Sequence, residues 1–198
     1  MHAHQRPPSR ELFFTPLQIA LNPTDYEAVQ FAYQCSKYGH AKQVRDDGSR
    51  YFDHPKAAAW IYINELKGRD PRVIKALLLH DMSEDQSLLS PWRLALNFGQ
   101  DSALDTAALT KLPKGKETTE EYLRRVIAQG PVAVLAKSLD RLHNLRDAHD
   151  AEKHMRQVAE TIKYHLPMLI SALKQSGMPW AGYAEYIEAE ILKACAPL

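Results

Sequence analysis

The chain has 198 residues, of which 45% are hydrophobic, 25% charged and 9% aromatic; that is enough for one domain with a sizeable core and excludes a disordered chain. A formal net charge of +1 gives no global attraction to nucleic acid or to an acidic membrane, and no apolar run approaches the ~18 residues that would span one. The two cysteines, Cys35 and Cys195, have no motif spacing, which excludes a disulfide framework or a thiolate metal site and points to a reducing cytoplasm.

Residues 1–22 begin with a polar stretch that lacks the apolar core of a signal peptide, and a mobile N-terminal segment is expected there. A single folded domain is expected over residues 23–198. Pro23-Thr24-Asp25 reads as a helix start, with Val29, Ala32, Tyr33 and Ser36 following at helical spacing and Gly39 as the stop. Residues 44–53 hold an Asp47-Gly48 turn and could form a small hairpin. Pro55 fits the first turn of a helix running to about Leu66, which would place His54 at its cap. Asp70-Pro71 opens the next helix, and Ser90-Pro91 another that Gly99 ends. Residues 101–109 read as helix, and residues 110–117 as a Lys-rich loop. Thr118 or Thr119 caps a helix ending at Gly130, and Pro131 starts one through about Asp147. Asp150 caps a long helix toward Gly177, broken near Pro167, and Pro179 opens the last. There are no repeats and no series of alternating strands. The expected class is all-α, with at most one small hairpin.

Chemistry concentrates where the apolar run Ala76-Leu77-Leu78-Leu79 meets His80-Asp81 and Glu84-Asp85. If the helix continues, His80 stacks on Glu84 and Asp81 on Asp85. An imidazole beside three carboxylates is costly to bury without a cation; the competing reading is a solvated helix end. Lys137, Asp140 and Asn144 share a helical face at spacings of three and four, while Leu135, Leu139 and Leu142 fall on another side. An exposed polar stripe would look the same. Taken together, His54, His80, Asp81 and Asp140 form a mixed N/O ligand set without sulfur, suited to Mn²⁺, Fe²⁺ or Zn²⁺. Four protein ligands around an octahedral ion leave room for water and a phosphate oxygen, the arrangement that metal-assisted phosphoester hydrolysis needs. Glu84 and Asp85 would be carboxylates near the ion, placed to work on that water.

The ordered series resembles the HD-domain metallohydrolases. More narrowly, it resembles the hydrolase domain of the RelA/SpoT alarmone enzymes and the stand-alone small alarmone hydrolases, metazoan SpoT homologues among them. Residues 45–55 (RDDGSRYFDHP) resemble the family's R-K-x-G-x-P-Y-x-x-H-P, and residues 78–85 (LLHDMSED) its L-L-H-D-x-x-E-D. Residues 109–112 (LTKL), 137–144 (KSLDRLHN) and 159–167 (AETIKYHLP) resemble V-T-K-L, K-L-A-D-R-L-H-N and A-E-T-x-x-x-Y-x-P.

The resemblance implies an HD-domain helical bundle and a single Mn²⁺ on His54, His80, Asp81 and Asp140, with Glu84 and Asp85 activating the water. Arg45 would pack on the purine, and Lys137, Asn144 and Tyr164 would contact ribose or phosphates. The implied reaction removes pyrophosphate from the 3′ position of (p)ppGpp. A small-molecule nucleotide would then be the partner, with no nucleic acid or membrane involved and with room for a homo-oligomer. Alternatives are another HD-type nucleotide phosphohydrolase, such as one removing the phosphate of NADPH, or a non-catalytic alarmone-binding module. The chain departs from the pattern at Asp46 (Lys in the family), Arg50 (Pro), Gln86 (Thr) and Asp147 (Thr). A carboxylate accepts from the amino group of adenine and repels the O6 carbonyl of guanine. Asp46 and Asp147 therefore point toward adenosine alarmones such as (p)ppApp.

Overall fold

The computed structural model describes residues 7–82 and 90–196. They are mainly helical, and among them only one antiparallel bridge, Val44 to Arg50, has β character. The chain divides into two compact units, one up to Thr110 and one from Lys111 onward.

The first unit begins earlier than its sequence suggests. Helix α1 (Arg10–Ala20) starts at Ser9, whose side chain accepts from the Leu12 amide at 3.1 Å. Its Phe13, Phe14 and Leu17 are buried, with Phe13 and Phe14 lying 5.3 and 5.1 Å from the Tyr33 ring. The boundary drawn at residue 22 thus falls between two helices that share an aromatic core. Helix α2 (Pro23–Gly39) buries Val29, Ala32, Tyr33 and Ser36, the face its spacing marked. In the turn that follows, Ser49 donates from its amide and hydroxyl to Asp47 at 2.9 and 2.7 Å, and Gly48 takes φ +80°. The chain enters helix α3 (Asp53–Trp60) at once, so the two arms never lengthen beyond one bridge. A widened, π-helical stretch carries α3 on through Ile61–Glu65.

Helix α4 (Pro71–Leu79) is capped by Asp70, which accepts from the Arg72 amide at 2.8 Å. It buries Val73, Ile74 and every residue from Ala76 to Leu79, so it is apolar around its circumference at that end. It packs on α2, on α3 and on α6 (Gln100–Leu109), which follows α5 (Pro91–Phe98) through Gly99 at φ +86°. Arg72 grips α6 by donating to both oxygens of Asp105, at 2.6 and 3.0 Å, and Asp105 is fully buried.

The second unit surrounds α8 (Pro131–Arg146), whose residues from Val132 to Leu142 are all buried. Before it, α7 (Thr119–Gln129) carries a complete capping box between Thr118 and Glu121. Helix α9 (Ala151–Glu160) is capped by Asp150 and runs without a break into a π-helical stretch, Thr161–Ile170, then into α10 (Ser171–Gln175). The break expected at Pro167 is instead a widened helix. Wider turns make room for the proline ring and absorb its missing N–H. Helix α11 (Trp180–Ala194) closes the unit against α8 and α10.

Arg141, on α8, is held from the far side of this unit. It donates to Glu160 at 2.7 Å and to Nε2 of the buried His165 at 2.8 Å. Burial, with Arg141 and Lys137 beside it, pulls the His165 pKa down to about 2, so its ring is neutral. Burial opposes the charge on Glu160, but the Arg141 guanidinium outweighs it and holds that carboxyl below its usual range.

Removing Arg72 would leave Asp105 buried without its two guanidinium bonds. Arg72→Ala should cost about 3 kcal/mol in urea unfolding. Arg72→Lys should recover only part, because a single ammonium cannot make the paired contact. His165 binds a proton in the unfolded chain below about pH 6.5 but in the folded chain only near pH 2. Its contribution to stability is therefore complete above pH 6.5 and is lost progressively as pH falls. Thermal melts of His165→Gln should fall less steeply between pH 6.5 and 4.5 than those of the parent protein.

Candidate metal and nucleotide site

The first unit brings His54, His80 and Asp81 together. Each offers a ligand atom, and these atoms lie within 4.8 Å of one another. His80 Nε2 is 3.2 Å and His54 Nε2 3.8 Å from Asp81 Oδ2, with the two imidazole centroids 5.3 Å apart. Both rings are buried, and the Asp81 side chain keeps 15% of its surface.

Local folding sets each of the three. Helix α4 ends at Leu79, so His80 and Asp81 follow it rather than extend it. His80 Nδ1–H donates to the Leu77 carbonyl at 2.9 Å. That bond selects the tautomer whose Nε2 lone pair faces Asp81, as a histidine ligand requires. His54 was expected at a helix cap; the helix instead begins at Asp53, and His54 sits buried in its first turn. Asp53 takes an ion pair from Lys56 at 2.9 Å and one from Arg50 at 3.0 Å, which ties the preceding turn to that helix start. Two imidazoles and a carboxylate, with the His80 tautomer fixed, fit a divalent cation.

Behind these groups stands Tyr51, whose hydroxyl donates to Asp81 Oδ2 at 2.9 Å. Its ring stacks on that of His40, 4.7 Å away at 29°. Sequence reasoning assigned Tyr51 no role, since nothing in a 30-residue separation signals the contact. Close packing also limits the neighbouring glycine. A Cβ on Gly39 would lie 2.2 Å from the end of the Met82 side chain, which would have to move aside to admit it.

The second unit assembles Lys137, Asp140 and Asn144 on one face of α8, buried rather than exposed at Lys137 and Asp140. Lys137 donates to Asp140 Oδ2 and Asn144 to Oδ1, both at 2.7 Å. Burial works against the Lys137 charge, but the Asp140 carboxylate outweighs it and holds the ammonium above the usual lysine range. The Lys137 ammonium, together with burial, pushes Lys111 below that range. Lys111, Arg125 and Lys137 all flank the Tyr122 ring, at 5.7, 5.3 and 5.3 Å from its centroid. This gathering of cations was visible in sequence only as a Lys-rich loop and one lysine on α8.

The other expected residues are more scattered. Arg45 is half-buried in the turn after α2, and Asp46 beside it is exposed. Asp147 is half-buried at the end of α8, 3.8 Å from His149. Tyr164 is half-buried in the π-helical stretch, with the Lys163 ammonium 4.8 Å from its ring centroid. Glu84, Asp85 and Gln86 lie outside the described residues.

No protein-family model matches the chain. It is 33% identical over 148 residues to a GTP pyrophosphokinase of Streptomyces coelicolor, covering 71% of this chain and 17% of that protein. It is also 33% identical over 164 residues to the bifunctional (p)ppGpp synthase/hydrolase RelA of Mycobacterium tuberculosis, covering 79% of this chain and 22% of that protein. The chain thus spans about a fifth of the length of these long relatives. In fold it is similar to a metazoan ortholog of SpoT, with a TM-score of 0.65 and 21% identity over 86% of this chain and 98% of that one. The mouse guanosine-3′,5′-bis(diphosphate) 3′-pyrophosphohydrolase MESH1 is 33% identical over 129 residues, 61% of this chain and 67% of the mouse protein. On that likeness, the chain belongs to the family of MESH1.

Proposed function

We propose that this chain hydrolyses the 3′-pyrophosphate of nucleotide alarmones, releasing pyrophosphate and GDP or GTP, or the adenine equivalents. The observation that carries the reading is the His54–His80–Asp81 cluster in a chain with this relative. We assign His54, His80, Asp81 and Asp140 as ligands of one Mn²⁺. When bound, the ion supplies charge neutralisation at the attacked phosphoryl group.

The chain's own side chains do the rest. Glu84 and Asp85 orient the attacking water and take its proton. Lys137 and Lys111, crowded together, favour the arrival of phosphate charge between them. Asn144 and Tyr164 contact ribose and phosphate, and Arg45 packs on the purine. Asp46 and Asp147 favour the adenine amino group over guanine O6. No helix among the described residues is long and apolar enough to cross a membrane; the setting we assign is cytoplasmic.

Incubation with ppGpp, ppApp and NADPH in the presence of Mn²⁺, with products read by mass, tests the reading. Pyrophosphate with GDP or ADP is expected, and phosphate released from NADPH alone would refute it. Chelation should stop turnover, with Mn²⁺ restoring it best. Asp81→Ala should lose metal and activity together. Glu84→Ala should keep metal and nucleotide but lose turnover by at least about 10²-fold. For the base, a strong guanine preference that Asp46→Lys leaves unchanged would sink the adenosine assignment.

A further inference from the structure

We infer that Tyr51 is a positioning residue for the metal ligand Asp81, and that the turn between α2 and α3 exists in part to hold it. The inference rests on the metal reading above. Three observations carry it. The Tyr51 hydroxyl donates to Asp81 Oδ2 at 2.9 Å, and this is the oxygen that approaches both His80 Nε2 and His54 Nε2, at 3.2 and 3.8 Å. The hydroxyl thus holds the same oxygen that faces the two imidazoles.

Second, the Tyr51 ring is itself held. It stacks at 4.7 Å on His40, a ring with 2% of its surface exposed, and His40 Nδ1 hydrogen-bonds Gln43 Oε1. The Tyr51 amide donates back to the Gln43 carbonyl at 3.2 Å. Residues 40–51 therefore clamp the phenol from both ring and backbone.

Third, the residue before it is braced. Arg50 donates to both oxygens of Asp53, at 3.2 and 3.0 Å, across the step from turn to helix. This bond stiffens the segment that places Tyr51 and His54 on either side of Asp81. A carboxylate ligand free to rotate loses affinity for its ion, and removing such an outer partner typically costs about 10- to 100-fold in metal binding.

The test is Tyr51→Phe, which keeps the ring and its stack and deletes only the hydroxyl. Mn²⁺ binding is read by titration calorimetry on wild type, Tyr51→Phe and Asp81→Ala. The Mn²⁺ electron paramagnetic resonance spectrum of each loaded protein and the melting temperature of each metal-free protein accompany it. The expected result is an unchanged metal-free melt for Tyr51→Phe, affinity weaker by about 10- to 100-fold and an altered spectrum. A merely structural role would move the melt and leave the spectrum of the loaded site alone. Wild-type affinity and spectrum in Tyr51→Phe, with binding lost in Asp81→Ala, would overturn the role of Tyr51 and leave the metal site standing. No Mn²⁺ binding by the wild-type protein would overturn both.

Discussion

The hydrogen bond from His80 Nδ1 to the Leu77 carbonyl is the constraint on which the site depends. It exists because α4 is buried around its last turn: Leu77, Leu78 and Leu79 have no exposed surface, so the helix cannot rotate or slide to suit a ligand. The free carbonyl at a helix end must find a donor, and here the donor is the imidazole itself. One bond thus satisfies a backbone acceptor, fixes a tautomer and aims Nε2 at Asp81. The packing that makes α4 a core helix also makes its C-terminal end a rigid mount.

The second unit solves a different electrostatic problem. Lys137, Asp140 and Arg141 are consecutive charges along a buried stretch of α8, each needing compensation. Lys137 and Asp140 compensate each other, Asn144 takes the remaining carboxylate oxygen, and Arg141 turns away to Glu160 and His165. A protonated His165 would face Arg141 as a like charge, so the neutral ring is a condition of that arrangement. Lys111 is pressed by Lys137 across the face of Tyr122, and Glu160 and Asp140 offset part of that pressure.

Element boundaries were legible in the sequence wherever a single residue's covalent geometry decides them. Pro23, Pro71, Pro91 and Pro131 open helices; Gly99 and Gly130, both at positive φ, separate them. The facing residues of α2 were legible for a similar reason, since spacing alone places them, and so was the adjacency of His80 and Asp81. Features that depend on tertiary contact were not. His54 lies inside its helix because Asp53, paired with Lys56 and Arg50, starts the helix first. The polar face of α8 is buried because its charges find partners, which no periodicity reveals. Pro167 reads as a breaker, yet neighbouring helices hold the widened turns together through it. Tyr51 and His165 act across separations that carry no local signature.

The departures from the family pattern separate along the same line. Arg50 replaces a proline, and its paired bond to Asp53 supplies by contact the stiffness that a ring would supply covalently. The bond spans the step from the turn into α3. Asp147 is different. It puts a negative charge at the C-terminal end of α8, where the helix dipole disfavours one by roughly 0.3–1 kcal/mol, and His149 lies 3.8 Å away. Asp46 stands exposed in the turn after α2. Of these departures, Arg50 carries a bond that the local fold uses, whereas the Asp147 charge carries a local cost at its helix end.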